Sequence, residues 1–197
     1  MNIQNFVENY HTLPASERKE GLAEIIKGEK LQTVFNLVRG SSARAALRVI
    51  ADADSRAADF VKANIDGILK ILRTGDAKMR MHAAQIIGNT CASQYLDDLI
   101  DAIMHEQTMF ALPSYLLAIG RAKNDRAKRF LDSYQLRSDL EKHREEEKAA
   151  LDKALAGFII RKKARVRVLP NDIVVLASPN LNVTYSQCKA AGLSPKK

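Results

Sequence analysis

IDGILKILRTGDAKMRMHAAQIIGNT, from Ile65 to Thr90, is the stretch whose reading decides the fold. Ile65, Ile68, Leu69 and Leu72 fall at i, i+3, i+4 and i+7, one face of a first helix. Gly75 breaks the pattern, and Asp76 is placed to cap a second helix by accepting from its free amides. Met79, Ala83, Ile86, Ile87 and Thr90 make the next stripe, with Ala83 and Ala84 small enough for close helix approach. Two amphipathic helices this short do not bury both stripes alone. They need similar pairs stacked on either side.

Such neighbours are present. Upstream, Leu31, Val34, Phe35 and Val38 form a stripe, Gly40-Ser41-Ser42 a turn, and Ala43 to Ala53 a second helix. Downstream, Tyr95 to Met104 precedes Leu112 to Lys123. Ile50 matches Ile87 at a spacing of 37 and Gly88 matches Gly120 at 32, a drift normal where turn lengths vary and the packing face does not. The sequence of L-x-x-L-L, a turn with Gly and Asp, Arg, then A-A-x-x-I-G resembles the HEAT repeat. Arg44 and Arg80 match that family's arginine at the start of the second helix, and Gly88 and Gly120 match its late glycine. Phe110-Ala111-Leu112-Pro113 stands where the third unit would have its arginine, so that turn is expected to be reshaped. The resemblance implies a mainly α fold, a right-handed α-α superhelix (a solenoid).

The other segments fit around this array. Ile3, Phe6, Val7 and Tyr10 predict a first helix, Pro14 interrupts it, and Ala15 to Lys27 follows with Gly28 as its C-cap. This leading pair reads as the cap of an open end. Residues 126–135 start a closing unit, and the repeat domain is expected to cover 1–135. Residues 136–157 read as a charged connector. Its helix, from about Ser138 to Leu155, carries opposite charges at i, i+4 in Lys142–Glu146 and Lys148–Asp152, and its apolar positions fade in the middle. From Phe158 the period turns alternating: Arg165 to Val168 reads as a strand with one wet face, and Ile173 to Ala177 as a buried strand. A helix from Val183 to Ala191, started near Asn182, completes a basic β-hairpin plus helix over 158–197. Two strands and a helix do not make a stable core, so this is either the start of a further domain or an unusually small appendix; the first is favoured.

Composition agrees with a helical protein: 46% hydrophobic and 27% charged residues leave enough apolar surface for a core, with no Trp and only 9 Gly. No apolar run approaches about 20 residues and no signal-like start is present, so a cytoplasmic, non-membrane protein is the default expectation. Cys91 and Cys188 form no CxxC, which argues against a disulfide or a zinc site.

The charge is unevenly placed. Residues 1–125 hold 15 Lys/Arg and 15 Asp/Glu, whereas 126–197 hold 16 and 8. The densest point is Arg161, Lys162, Lys163, Arg165 and Arg167; a looser group is Arg121, Lys123, Arg126, Lys128 and Arg129. Counterion release makes such clusters phosphate-binding surfaces with steep salt dependence. A solubilising face is the plainer reading of the same charges. No catalytic site is legible. His11, His82, His105 and His143 lack partners at metal or triad spacing, Asp97, Asp98 and Asp101 mark the polar face of a helix, and neither GxGxxG nor a P-loop occurs. Helical-repeat DNA glycosylases, which stack bases on tryptophans and other aromatics, are disfavoured by the missing Trp.

The tail from Ile173 to Lys197 resembles the opening of the ferredoxin-like, THUMP-associated region of RNA methyltransferases: Val174-Val175-Leu176 as the strand, Pro179 and Leu181 as the turn, Gly192 as the helix end. Asn180 stands where that family often has Gly, and Asn182 and Thr184 replace its usual acidic residues. Bacterial proteins similar to tRNA-guanine methyltransferases carry HEAT repeats ahead of such a region. The resemblance implies a non-catalytic front end that docks RNA (tRNA or rRNA), with a truncated α+β segment at its end and an S-adenosylmethionine-binding domain beyond Lys197; the chain itself would hold no cofactor. The alternative is a HEAT-type scaffold whose groove takes a protein partner.

Overall fold

The computed structural model describes residues 2–158, together with the backbone of three short strands at 167–168, 173–175 and 182–184. The chain divides into two compact units, Met1–Phe158 and Ile159–Lys197. The described part of the first is mainly helical.

The deciding stretch forms helices α6 (Ile65–Thr74) and α7 (Ala77–Thr90). Gly75 ends α6 in an extended conformation, its amide donating to the Ile71 carbonyl at 2.8 Å. Asp76 then caps α7: its carboxylate accepts from the Lys78 and Met79 amides, 3.0 Å each. Such a cap contributes about 1 kcal/mol and fixes where the second helix begins. Ile68, Leu72, Ala83, Ile86 and Ile87 are buried, as their spacing requires.

The same pairing recurs along the unit. Helix α3 (Leu31–Asn36) packs on α4 (Ala43–Asp52), and α8 (Leu96–His105) on α9 (Leu112–Gly120). Helix α10 (Asp125–Ser133) packs against α9 and α11 (Glu141–Ala156). Helices α4, α7, α9 and α11 lie side by side in chain order, each against the next. At the leading end, α1 (Ile3–Asn9) and α2 (Ala15–Lys27) close the row, with Phe6 seated over Gly21. A 3₁₀ turn and the short helix α5 (Ala58–Ala63) bridge α4 to α6. Another 3₁₀ turn, Met109–Ala111, leads into α9 at the point where the arginine of the repeat pattern is missing.

Two glycines set how closely this row packs. A Cβ on Gly88 would lie 2.6 Å from the Ala118 Cβ and 2.7 Å from its Cα, and one on Gly120 would lie 2.7 Å from the Ala154 Cβ. Neither neighbour has a side chain that can swing away. Gly88→Val therefore forces α7 and α9 apart: a few tenths of a kcal/mol gained in helix propensity are outweighed by about 2–3 kcal/mol of overpacking. Urea unfolding is expected to show that loss. Gly40→Ala, whose Cβ would meet nothing closer than 3.7 Å, should stay within about 0.5 kcal/mol of the parent.

Two expectations need correction. The helix predicted over Ser138–Leu155 is no solvated connector. It is α11, packed on α9 with Ala150 and Ala154 buried and Ala154 against Gly120, while buried Glu147 bonds the segment that joins α10 to α11. Its apolar stripe fades because two of its buried residues are alanines and the third is a carboxylate. Nor are the pairs Lys142–Glu146 and Lys148–Asp152 formed; Glu146 instead lies 3.4 Å from His143 Nδ1. In the second unit, β1 (Arg167–Val168), β2 (Ile173–Val175) and β3 (Asn182–Thr184) pair antiparallel in that order, Val174 opposite Val168 and Val183. The predicted helix start at Asn182 is thus strand, consistent with β-branched Val183 and Thr184; its continuation from 185 lies outside the described residues. Strands of two and three residues do not establish the α+β segment predicted for 158–197.

Candidate nucleic-acid interface

Of the predicted phosphate-binding residues, Arg161, Lys162, Lys163 and Arg165 lie outside the described residues, and Arg167 is described only as backbone of β1. The second group is described in full. Arg121 C-caps α9, Lys123 takes a left-handed φ of 49° in the turn, and Arg126, Lys128 and Arg129 stand on α10. All five are exposed. Arg126 is spent on Asp97 at 2.6 Å and Lys128 on Asp132 at 2.6 Å. Arg121, Lys123 and Arg129 make no ion pair among the described residues. An unpaired surface cation is free to neutralise a phosphate and so displace the counterion condensed on the nucleic acid there, which these three can do.

Arg121 also belongs to a feature that the sequence did not suggest. Helices α4, α7 and α9 enclose an open groove of about 300 Å³, lined on its polar side by Arg48, Asp52, His82, Gln85, Asn89, Ser114 and Arg121. Its side chains are tied across the helices. His82 Nδ1 lies 3.1 Å from Gln85 Oε1, Gln85 Nε2 donates to Ser114 Oγ at 3.0 Å, and Asn89 Nδ2 donates to the Ala51 carbonyl at 2.9 Å. Asp52 accepts from the Tyr10 hydroxyl at 3.0 Å and from Arg48 Nε at 3.5 Å. Helical spacing of His82, Gln85 and Asn89 on α7 was a legible signal; their neighbours come from helices far away in sequence.

His82 is buried, and burial pulls its imidazole below the ordinary range, with Arg48 reinforcing this and the Gln85 contact opposing it. The sign follows: the unfolded chain takes up a proton near pH 6.5 while the folded one resists, so stability falls as pH drops through that value. Glu106 and Glu147 add a second fall. Burial pushes both carboxyls up, but Arg80 at Glu106, and Tyr134 with the Ser138 and Arg137 amides at Glu147, outweigh it and hold both below the usual range. Their stabilisation is present above about pH 4.3 and lost below it. Urea midpoints measured from about pH 8 to 2.5 should decline in two stages, and His82→Gln should remove the upper one. A flat wild-type profile between about pH 7.5 and 5.5 would contradict this reading.

The remaining charges hold structure together. Asp97, Asp98 and Asp101 pair with Arg126, Arg73 and His105, which confirms them as the polar face of α8. Among the described residues no group of three or more His, Cys, Asp or Glu could hold a metal, and no helix is long and apolar enough to cross a membrane. Cys91 is buried and forms no disulfide among the described residues; Cys188 lies outside them. Comparison with protein-family models, with curated proteins and with solved structures finds no match in any of the three.

Proposed function

We propose that this chain is a non-catalytic helical-repeat module that docks RNA. The observation carrying the reading is the division of the α9–α10 cations: Arg126 and Lys128 are neutralised by carboxylates, whereas Arg121, Lys123 and Arg129 stay exposed and unpaired. They precede residues 159–197, which hold eight Lys/Arg against a single Asp. A HEAT-type α-α superhelix is the natural reading of the first unit. The glycine of one second helix repeatedly meets an alanine of the next, Gly88 with Ala118 and Gly120 with Ala154. The arginine opening a second helix repeatedly reaches an acid of the following unit, Arg44 to Asp76 and Arg80 to Glu106. In this reading the chain is the RNA-binding front part of an S-adenosylmethionine-dependent RNA methyltransferase, and the cofactor is bound elsewhere.

The test uses the full chain and bulk tRNA, followed by fluorescence anisotropy. Changing Arg121, Lys123 and Arg129 together to Gln should weaken binding at least tenfold and lower the salt slope by about 2–3. Changing Arg126 and Lys128 should do far less. Equal effects of the two sets would remove the basis for choosing these residues. Failure of the wild type to bind would turn attention to a protein partner, for which the groove's Met81, Leu117 and Ala118 are the apolar contacts.

A further inference from the structure

The groove between α4, α7 and α9 has hydrogen-bonding capacity left over, and its charge is net positive. Arg48 engages Asp52 only through Nε, at 3.5 Å, leaving both terminal nitrogens of the guanidinium. Arg121 makes no ion pair among the described residues. Ser114 accepts from Gln85 and keeps its own hydroxyl proton, and Asn89 commits one amide hydrogen to the Ala51 carbonyl and keeps the other. On the acceptor side, Asp52 is the only carboxylate in the lining, and it already receives Tyr10 and Arg48. Buried His82 adds no positive charge at neutral pH, since burial pulls its imidazole down. What remains is a set of donors, one orphaned acceptor, the buried Asn89 Oδ1, and a net charge of one positive unit.

A ligand matching this set is anionic, offers several acceptors and brings a hydroxyl donor for the Asn89 Oδ1. We infer that the groove is a second RNA contact, seating one phosphodiester between Arg48 and Arg121 with the adjoining ribose against Ser114 and Asn89. This rests on the RNA-docking reading above and deepens it. Two further features fit the assignment. The volume of about 300 Å³ is at the small end of ligand sites, suited to one nucleotide unit and not to a folded element. Arg121 both lines the groove and is one of the three exposed, unpaired cations near the α9–α10 junction, so one residue belongs to both proposed contacts. No Phe, Tyr or Trp lines the groove, so the contact is assigned to the phosphodiester and ribose and not to base stacking on such a ring.

The test again uses the full chain with bulk tRNA. Arg48→Gln should weaken binding about three- to tenfold and reduce the salt slope by about 1, as loss of one phosphate contact does. Ser114→Ala should weaken binding about threefold with the slope unchanged, because a neutral hydroxyl releases no counterion. Arg39→Gln, an exposed arginine on another part of the surface, controls for net charge and should have little effect. Circular dichroism and thermal midpoints establish that each variant is folded. If folded Arg48→Gln and Ser114→Ala bind as Arg39→Gln does, the groove is not an RNA contact, while RNA docking through the exposed edge stands. If the wild type binds no tRNA, both readings fall together.

Discussion

Glu106→Ala is expected to cost the first unit about 3–5 kcal/mol, the range seen when one partner of a buried ion pair is removed. The Glu106 side chain has no exposed surface. Its carboxylate takes Arg80 in two-point contact, Nη2 to Oε1 at 2.6 Å and Nε to Oε2 at 2.9 Å, with the Thr108 amide at 2.9 Å and the Tyr115 hydroxyl at 3.2 Å. Truncation leaves a half-buried guanidinium and two further donors without their acceptor. The turn joining α8 to α9 loses the group that organises it. At roughly 2–4 °C per kcal/mol for a domain of this size, the thermal midpoint should fall by about 6–20 °C. Arg80→Met combined with Glu106→Leu should cost less than Glu106→Ala alone, since it leaves no unpaired charge inside. A loss below about 1 kcal/mol for Glu106→Ala would mean that the pair is not buried in solution.

Glu147→Ala should cost nearly as much, about 2–4 kcal/mol, by a different route. This carboxylate is fully buried and has no cation in contact among the described residues. Neutral donors surround it instead: the Tyr134 hydroxyl at 2.7 Å, the Arg137 amide at 3.0 Å and the Ser138 amide at 2.9 Å. They come from the segment joining α10 to α11. The same segment is fastened on its other side by Arg137, whose guanidinium donates to the Ile103 and Glu106 carbonyls at 2.7 and 2.6 Å. Removing the carboxylate orphans three donors, two of them backbone groups. Hydrogen exchange localises the effect: the Arg137 and Ser138 amides should exchange at least tenfold faster, while those of α6 and α7 keep pace with global stability. Glu147→Gln retains one acceptor oxygen but turns an NH₂ toward donors, so it should lose about 1–2 kcal/mol. Unchanged exchange at Arg137 and Ser138 would show that Glu147 does not hold this segment.

These two carboxylates also mark where the sequence stops being legible. The α6–α7 pair could be read directly, because a stripe at helical spacing, a glycine stop and an aspartate cap are local features whose chemistry is complete within a few residues. Glu147 could not. A glutamate within EKHREEEKAAL looks like its exposed neighbours, and only the turn at 134–138 supplies the donors that make its burial affordable. Read without them, α11 becomes a wet connector, although Ala150 and Ala154 already sat at the spacing of a packing face. The groove is hidden for the same reason. Arg48, Gln85 and Ser114 meet only once three helices are laid side by side, and nothing in the short-range pattern aligns them. At the candidate interface the cations themselves were plain, but which of them are neutralised depends on Asp97 reaching Arg126 from another helix.

The most direct test of the account is the affinity of the full chain for bulk tRNA, measured as a function of salt from about 50 to 200 mM. The account predicts binding that weakens by about a hundredfold or more across that range, as expected for release of several counterions. No binding at the lowest salt, or an affinity indifferent to salt, would contradict it.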